Sequence, residues 1–349
     1  MDSSTIETMH TNADRRIIVG EENQFTFAVC SSAMSLACVA WSKMFSPPDV
    51  NARYTYTEQY QTDIEFPDDD PEPLRIVLKI IHLRFSELPK TVDFGLLGSL
   101  AALCNKYDLS HLVQAWAGSW IDAIKDKPSV LYVSESTIPW LNIAYVFRDL
   151  TILKNAALAM VTNMTLTSME DTNGNSYDAV RLDNDTKMSR ILFGLAADHE
   201  EYPLSEIIPD IIDQLAALRT ETISKLLEAT FSRIQAFCKS LRPFCVDDNH
   251  ACDLLQLGAL LRGVGQAGIV NFSSPTAGEG KLLDVPKYRK SVTKLSITLK
   301  SIDWKPSHLH DECHKRPEYH EDIDKAMNAI SGRVEWLCRD LLWTKESHP

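Results

Sequence analysis

The chain has 349 residues, 44% of them hydrophobic and 24% charged, a composition typical of a globular protein with two or three domains. Its formal net charge of −13 argues against direct nucleic-acid binding, because phosphate contacts need clustered lysine and arginine. The chain opens without a secretory signal, and no apolar run is long enough to cross a membrane. We therefore expect a location in the cytoplasm or nucleus, with cysteines that are reduced or bound to metal.

The first predicted elements are strands and short helices. Residues 1–13 are polar, and we predict that they form a disordered tail. The apolar run 17–19, a glycine-containing polar turn and the alternating stretch 25–29 predict a β-hairpin, because alternation beside a turn is typical of paired strands. From Ser31 the apolar residues recur at helical spacing, which predicts two short helices ending near Phe45.

A loop, a strand and three helices are predicted next. The loop covers residues 46–63, and 64–66 is a short strand candidate. Acidic residues and prolines at 67–71 indicate a helix start, since both suit a first helical turn. Apolar stripes with steps of three and four predict the helices, with these members: Leu74, Val77, Leu78, Ile81 and Phe85; Phe94, Leu97, Leu100, Ala101, Cys104 and Tyr107; Leu112, Val113, Trp116 and Trp120.

Three of these motifs together resemble a known family. They are Trp41-Ser-Lys-Met-Phe45 after a hairpin, Phe66-Pro-Asp-Asp-Asp-Pro-Glu72 before a helix, and Ala101-x-Leu-Cys-x-Lys-Tyr-Asp-Leu109 inside a later helix. In this order they are similar to the BTB/POZ domain, and more narrowly to the BTB-domain proteins of fungi. The resemblance covers residues 14–122. It implies an α+β fold in which a small sheet is capped by helices.

BTB/POZ domains act by association, so the resemblance implies protein partners. One implied mode is self-pairing as a homodimer through the first hairpin and helices. The other is docking of a partner such as a cullin-type ubiquitin-ligase scaffold, although no docking motif for one follows the domain. The resemblance places a self-pairing interface near five residues, some of which must belong to the core instead: Ile17, Val19, Met34, Trp41 and Met44.

Beyond the BTB-like part, helical spacing dominates. We predict a helical extension over 123–165, a loop-rich linker over 166–203 and an all-helical C-terminal domain over 204–345. The last helix has apolar residues at steps of four and three from Ile323 to Leu341. This stripe fits packing in a core or, alternatively, a coiled-coil seam.

Cysteines and histidines in the C-terminal half suggest a zinc site. Zinc takes about four soft or borderline ligands in a tetrahedron. His310 and Cys313 could supply one half-site, and Cys245 with Cys252 or His250 the other. Similar fungal proteins carry a comparable pattern. The competing interpretation is that the cysteines are core residues, because cysteine is among the most buried residue types.

Motifs for catalysis are weak. There is no Walker loop, dinucleotide fingerprint or nucleophile elbow. The glycines at 263, 265 and 268 follow a predicted helix rather than a strand, so we expect them to end that helix and not to hold phosphate. The three carboxylates at 68–70 are explained by the helix dipole. We predict that the chain is not an enzyme and has no cofactor apart from the zinc considered above.

The main hypothesis is a non-enzymatic interaction protein, an adaptor that self-associates or docks a partner through its BTB-like part. One alternative is a C-terminal zinc module with a structural or sensory role. Another is a substrate adaptor of a cullin-type ubiquitin ligase. A role in transcription would depend on partners, because the sequence has neither zinc-finger repeats nor a basic helix.

Overall fold

The structure is a computed structural model that describes residues 6–21, 24–45, 63–125, 137–170, 176–182, 191–192, 207–245, 247–271, 281–282, 288–302 and 318–344. It is a mixed α+β protein with a four-stranded sheet near the N-terminus and a helical C-terminal part. The described residues up to Asp149 form one compact unit, and those from Leu150 onward form a second.

The sheet of the first unit contains β1 (Ile6–Thr8), β2 (Arg15–Val19), β3 (Phe25–Val29) and β4 (Asp63–Phe66), in the order β1-β3-β2-β4. The predicted hairpin is confirmed: β2 and β3 are antiparallel, with Ile17 opposite Phe27. The short strand predicted at 64–66 is β4, which runs parallel to β2. The sheet buries one face because alternate residues of β2 and β3 point into the core.

The prediction of a disordered tail is wrong for its described part, residues 6–13. β1 pairs in parallel with β3, and the amide of Met9 donates a hydrogen bond of 2.8 Å to the carbonyl of Ala28. The Met9 side chain is buried. A three-residue edge strand among polar residues shows little alternation, so composition alone did not reveal it.

Seven helices or helical turns complete the described part of the first unit, and their starts follow the predicted signals. Asp70 and Asp93 accept hydrogen bonds from the amides of Glu72 and Leu96, which satisfies donors of the first turn. The elements are α1 (Ser31–Ala37), α2 (Val39–Phe45), α3 (Pro71–Ile81), a 3-10 turn (Phe85–Glu87), α4 (Phe94–Tyr107), α5 (Ser110–Ile124) and α6 (Thr137–Val146).

A polar cluster around the buried Asp69 joins the segment before α3 to the end of α4. The carboxylate of Asp69 accepts hydrogen bonds from Lys106 Nζ at 2.7 Å and from the hydroxyl of Tyr107 at 2.6 Å. Burial of the phenol, together with its hydrogen bond to Asp69, raises the pKa of Tyr107 well above its usual range. The hydroxyl therefore stays a donor, and the cluster fixes α4 against the sheet-to-helix connection.

The second unit is built on α7 (Leu150–Asn163), α8 (Ile207–Lys239), α9 (His250–Gln266), α10 (Val292–Lys300) and α11 (Glu318–Thr344). The stripe of α11 lies in the core, since Ile323, Ile330, Val334 and Leu337 are buried, as the core-packing interpretation predicts. In the part of the chain that the structure describes, no helix combines the length and apolar character needed to span a membrane.

Three of the predicted segments need correction. The extension over 123–165 is divided, because α6 belongs to the first unit and α7 to the second. The linker over 166–203 contains paired strands: β5 (Met164–Glu170), β6 (Ser176–Leu182) and β7 (Ile191–Leu192). The Asn-Gly pair between β5 and β6 is typical of hairpin turns, although it also resembles a loop in sequence. The C-terminal region is not all helical, since β8 (Val270–Asn271) pairs with β9 (Lys281–Leu282).

A buried arginine connects three segments of the second unit. The guanidinium of Arg219 on α8 donates to the carbonyl of Met164 at 3.2 Å and to those of Tyr288 and Lys290 at 2.8 Å. Burial lowers the pKa of Arg219 to about 10, so the side chain remains charged at neutral pH. Its charge is stabilised by backbone dipoles, which ties α8 to β5 and to the segment before α10.

Candidate docking surface

The helical pair α1–α2 divides its apolar residues between the core and the surface. Met34, Cys38 and Trp41 are buried at steps of four and three. Leu36, Val39 and Met44 are 91%, 76% and 49% exposed, respectively. We call these three residues the docking surface. Exposed leucines are common singly, but several exposed apolar side chains on one helical pair are typical of an association site.

Aromatic packing holds the buried side of this pair. The Trp41 ring lies 5.1 Å from the ring of Tyr107 and 6.3 Å from that of Phe66, measured between centroids. The thiol of Cys38 donates to the carbonyl of Tyr107 at 3.4 Å. Because Tyr107 is itself fixed by Asp69, the docking surface is attached to a rigid part of the first unit.

Two ionisable side chains hold the start of α1. The carboxylate of Asp14 accepts hydrogen bonds from the amide of Ser31 at 2.7 Å and from its hydroxyl at 2.6 Å. Burial opposes ionisation of Asp14, but these bonds outweigh it and lower the pKa of the carboxyl. The amide of Cys30, which precedes α1, donates to His82 Nε2 at 3.0 Å.

The ring of His82 is fixed in one neutral tautomer. Since Nε2 accepts the proton of the Cys30 amide, Nδ1 carries the ring proton and donates it to the carbonyl of Leu78 at 2.8 Å. Burial lowers the pKa of His82, and the neighbouring side chains of His10 and Arg84 lower it further. The neutral ring is thus the form that fits this site.

The predicted interface residues have different positions in the structure. Ile17 and Val19 lie on the buried face of β2, and Met34 and Trp41 are core residues of the helical pair. These four side chains cannot contact a partner while the unit is folded, which corrects their assignment to an interface. Met44 alone of the five is exposed.

Sequence reasoning missed Leu36 and Val39, although the signal was present. In the sequence, Met34, Cys38 and Trp41 follow an i, i+4, i+7 pattern that is typical of buried positions. Leu36 and Val39 fall outside that pattern. Asp14 and His82 had no local signal, because their partners lie 17 and 52 residues away in the chain.

Other exposed apolar side chains are scattered or partly covered. Phe25 on β3 lies under the guanidinium of Arg75 at 5.6 Å, and Phe85 contacts the ring of Trp116 at 5.4 Å. In the second unit, large apolar side chains are exposed on α9, α10, α11 and the segment after α8: Leu241, Leu254, Leu255, Ile297, Trp336 and Trp343.

Two of the four predicted zinc ligands are brought together. Cys245 and Cys252 are buried and belong to one cluster beside the first turn of α9. The side-chain amide of Gln256 donates to the Cys252 sulfur at 3.3 Å. His310 and Cys313 lie outside the described residues. His250, the alternative ligand, is exposed. Among the residues that the structure describes, no group of three or more histidine, cysteine or carboxylate side chains is placed to hold a metal ion.

The chain matches no protein-family model and no curated protein.

Proposed function

We propose that the chain is a non-enzymatic interaction protein of the BTB/POZ type, which pairs with a second copy of itself through the docking surface. The carrying observation is the exposure of Leu36, Val39 and Met44 on a helical pair whose other face is fixed in the core. The proposal is also supported by the element order: a hairpin, a helical pair, a strand parallel to β2 of the hairpin, and then helices. This is the order that the resemblance of residues 14–122 implies.

A second copy fits this surface for a physical reason. A two-fold interface brings the same patch of each subunit together, so three apolar side chains on one copy meet three on the other. The neighbouring elements hold the patch in place, so little conformational entropy is lost when it docks. Apolar burial then supplies the driving force.

The test is the oligomeric state of the full chain, measured by size-exclusion chromatography with light scattering. We expect a dimer at micromolar concentration, and we expect Leu36→Asp to weaken it at least about a hundredfold, because like charges facing each other in an interface cost several kcal/mol. Leu241→Asp is the matched control: Leu241 is 96% exposed but lies in the second unit. The control should leave the dimer intact.

A chain that is monomeric at every concentration and captures no partner would contradict the proposal. A dimer that survives Leu36→Asp would show that another surface pairs. Binding of a monomer to a cullin-type scaffold, lost in Leu36→Asp, would assign the same surface to the adaptor role instead.

Zinc binding is a second candidate function, favoured by the burial of Cys245 and Cys252 in one cluster. Two adjacent thiols fit the soft-donor half of a zinc site, and His310 with Cys313 would complete it. Bound zinc would supply a structural cross-link there and hold α9 to the segment before it.

Metal analysis of the purified full chain tests this candidate. We expect close to one zinc per chain, and loss of that zinc in Cys252→Ser. Cys238→Ser is the control, because Cys238 is exposed at the end of α8. Protein purified without chelator that carries no zinc would eliminate the candidate.

A further inference from the structure

The start of α1 is held by side chains that can change charge. Cys30 precedes the helix and offers no side-chain cap of its own. Its amide is instead bonded to the imidazole of His82, and the next residue, Ser31, is bonded to the carboxylate of Asp14. The helix that bears Leu36 therefore depends on one neutral ring and one ionised carboxylate.

We propose that His82 is a pH-sensitive anchor of the docking surface: its neutral ring holds the start of α1, and its protonation releases that start. Protonation adds a hydrogen to Nε2, the atom that accepts the Cys30 amide proton at 3.0 Å. Two N–H groups then face each other, and the amide loses its acceptor. The inference rests on the proposed function, because the docking surface is what this release would loosen.

The charges around His82 disfavour the protonated ring in the attached state and so favour release of α1 when the ring is protonated. His10, from the segment after β1, and Arg84, from the segment after α3, both disfavour the protonated ring. Arg84 is paired with Glu87 at 2.6 Å, and Lys79 lies 3.7 Å from the same carboxylate, so Glu87 is already engaged by two cations. The nearby carboxylate of Asp14 is engaged by Ser31.

The sign of the pH dependence follows from the shifted pKa values. In the attached state the Cys30 amide is bonded to His82, and in the released state that bond is broken. The pKa of His82 in the attached state lies below its ordinary 6.5, so above pH 6.5 the ring is neutral in both states. As pH falls below 6.5, the released state takes up the proton first, and the attachment weakens. The pKa of Asp14 lies below 3.8, so this carboxylate stays ionised in the same range and does not contribute to the change.

Amide hydrogen exchange of the full chain tests the anchor directly. Between about pH 7.5 and about pH 5.5, protection of residues 30–37, corrected for the intrinsic exchange rate, should fall about tenfold, the effect of losing one hydrogen bond at a buried site. His82→Gln should keep an acceptor near the position of Nε2 and cannot be protonated, so its protection should not change. His111→Gln, at an exposed histidine of α5, should behave as the unmodified chain does.

Nitrogen NMR of the histidines in the unmodified chain gives a second measurement. It should show His82 with its proton on Nδ1 and a pKa below the ordinary 6.5. Equal protection at both pH values, or the same loss in His82→Gln, would overturn the inference. A ring protonated on Nε2 at neutral pH would overturn it too.

Association is measured separately at about pH 7.5, where the ring is neutral. A chain that never associates but shows the exchange change would disprove the proposed function and leave the anchor standing. A chain that associates but shows no change in exchange would disprove the anchor and leave the proposed function standing.

Discussion

Three consecutive aspartates, Asp68, Asp69 and Asp70, lie in three different environments. Asp68 is exposed, Asp70 caps α3 through the amide of Glu72, and Asp69 is buried against Lys106 and Tyr107. The sequence gives all three the same explanation, namely acidic residues at a helix start. Asp69 differs from its neighbours because Lys106 and Tyr107 at the end of α4 contact it. That contact is distant in the sequence, so a local pattern could not reveal it.

This difference predicts a graded set of alanine substitutions. Asp69→Ala should lower the free energy of unfolding by about 2–3 kcal/mol, because it removes the buried charged acceptor of two hydrogen bonds and leaves the part-buried hydroxyl of Tyr107 without a partner. The ion pair adds little, since the Lys106 side chain is half exposed. Asp70→Ala should cost about 1 kcal/mol through loss of the cap. Asp68→Ala should stay within about 0.5 kcal/mol of the unmodified chain.

Chemical denaturation followed by circular dichroism measures all three variants. An equal effect at Asp68 and Asp69 would contradict the description of the buried cluster.

At the scale of elements, α9 shows how tertiary contact overrides a local signal. The glycines at 263, 265 and 268 were expected to end the helix, yet α9 continues to Gln266 and only Gly268, with φ of +69°, marks its end. A Cβ added at residue 263 would collide with Cγ2 of Ile302. Gly263 is thus explained by close packing against the segment after α10.

Two glycines of α9 give a matched pair of substitutions. Gly263→Ala should lower the free energy of unfolding by about 1–3 kcal/mol, because the buried, β-branched Ile302 has to move. Gly258→Ala has open space around it and should raise that free energy by about 0.5–1 kcal/mol through helix propensity. Thermal unfolding of both variants compares them, and a stabilised Gly263→Ala would contradict the close contact.

Helices with strong periodicity were predictable from sequence, and short paired segments were less so. Helix α3 was located by its acidic start and apolar stripe, and its bounds agree with the structure to within a few residues. Strands β1, β5 and β6 were missed because their pairing partners, not their own patterns, define them. The exposed residues of the docking surface lie on the helical pair that the interface prediction named, but the sequence did not separate its buried residues from its exposed ones.

At the scale of the whole molecule, net charge bears on the proposed self-association. Two copies with a formal charge of −13 each repel one another, whereas the docking surface consists of apolar side chains. Raising NaCl from about 50 mM to about 500 mM shortens the screening length and should strengthen the dimer. An interface built on ion pairs would weaken instead.

Analytical ultracentrifugation across this salt range measures the dissociation constant. Leu241→Asp serves again as the control for added charge outside the docking surface. A dimer that dissociates on adding salt would contradict an apolar interface.

The uneven placement of tryptophan supplies a built-in optical reporter. Trp41, Trp120 and Trp140 are buried in the first unit, while Trp336 and Trp343 on α11 are exposed to solvent. Indole emission shifts to shorter wavelength in an apolar environment, and a soluble quencher reaches only accessible rings. Among the described tryptophans, unquenched blue emission therefore follows the first unit, and quenchable red emission includes the light from α11, so one cuvette can record both without a label.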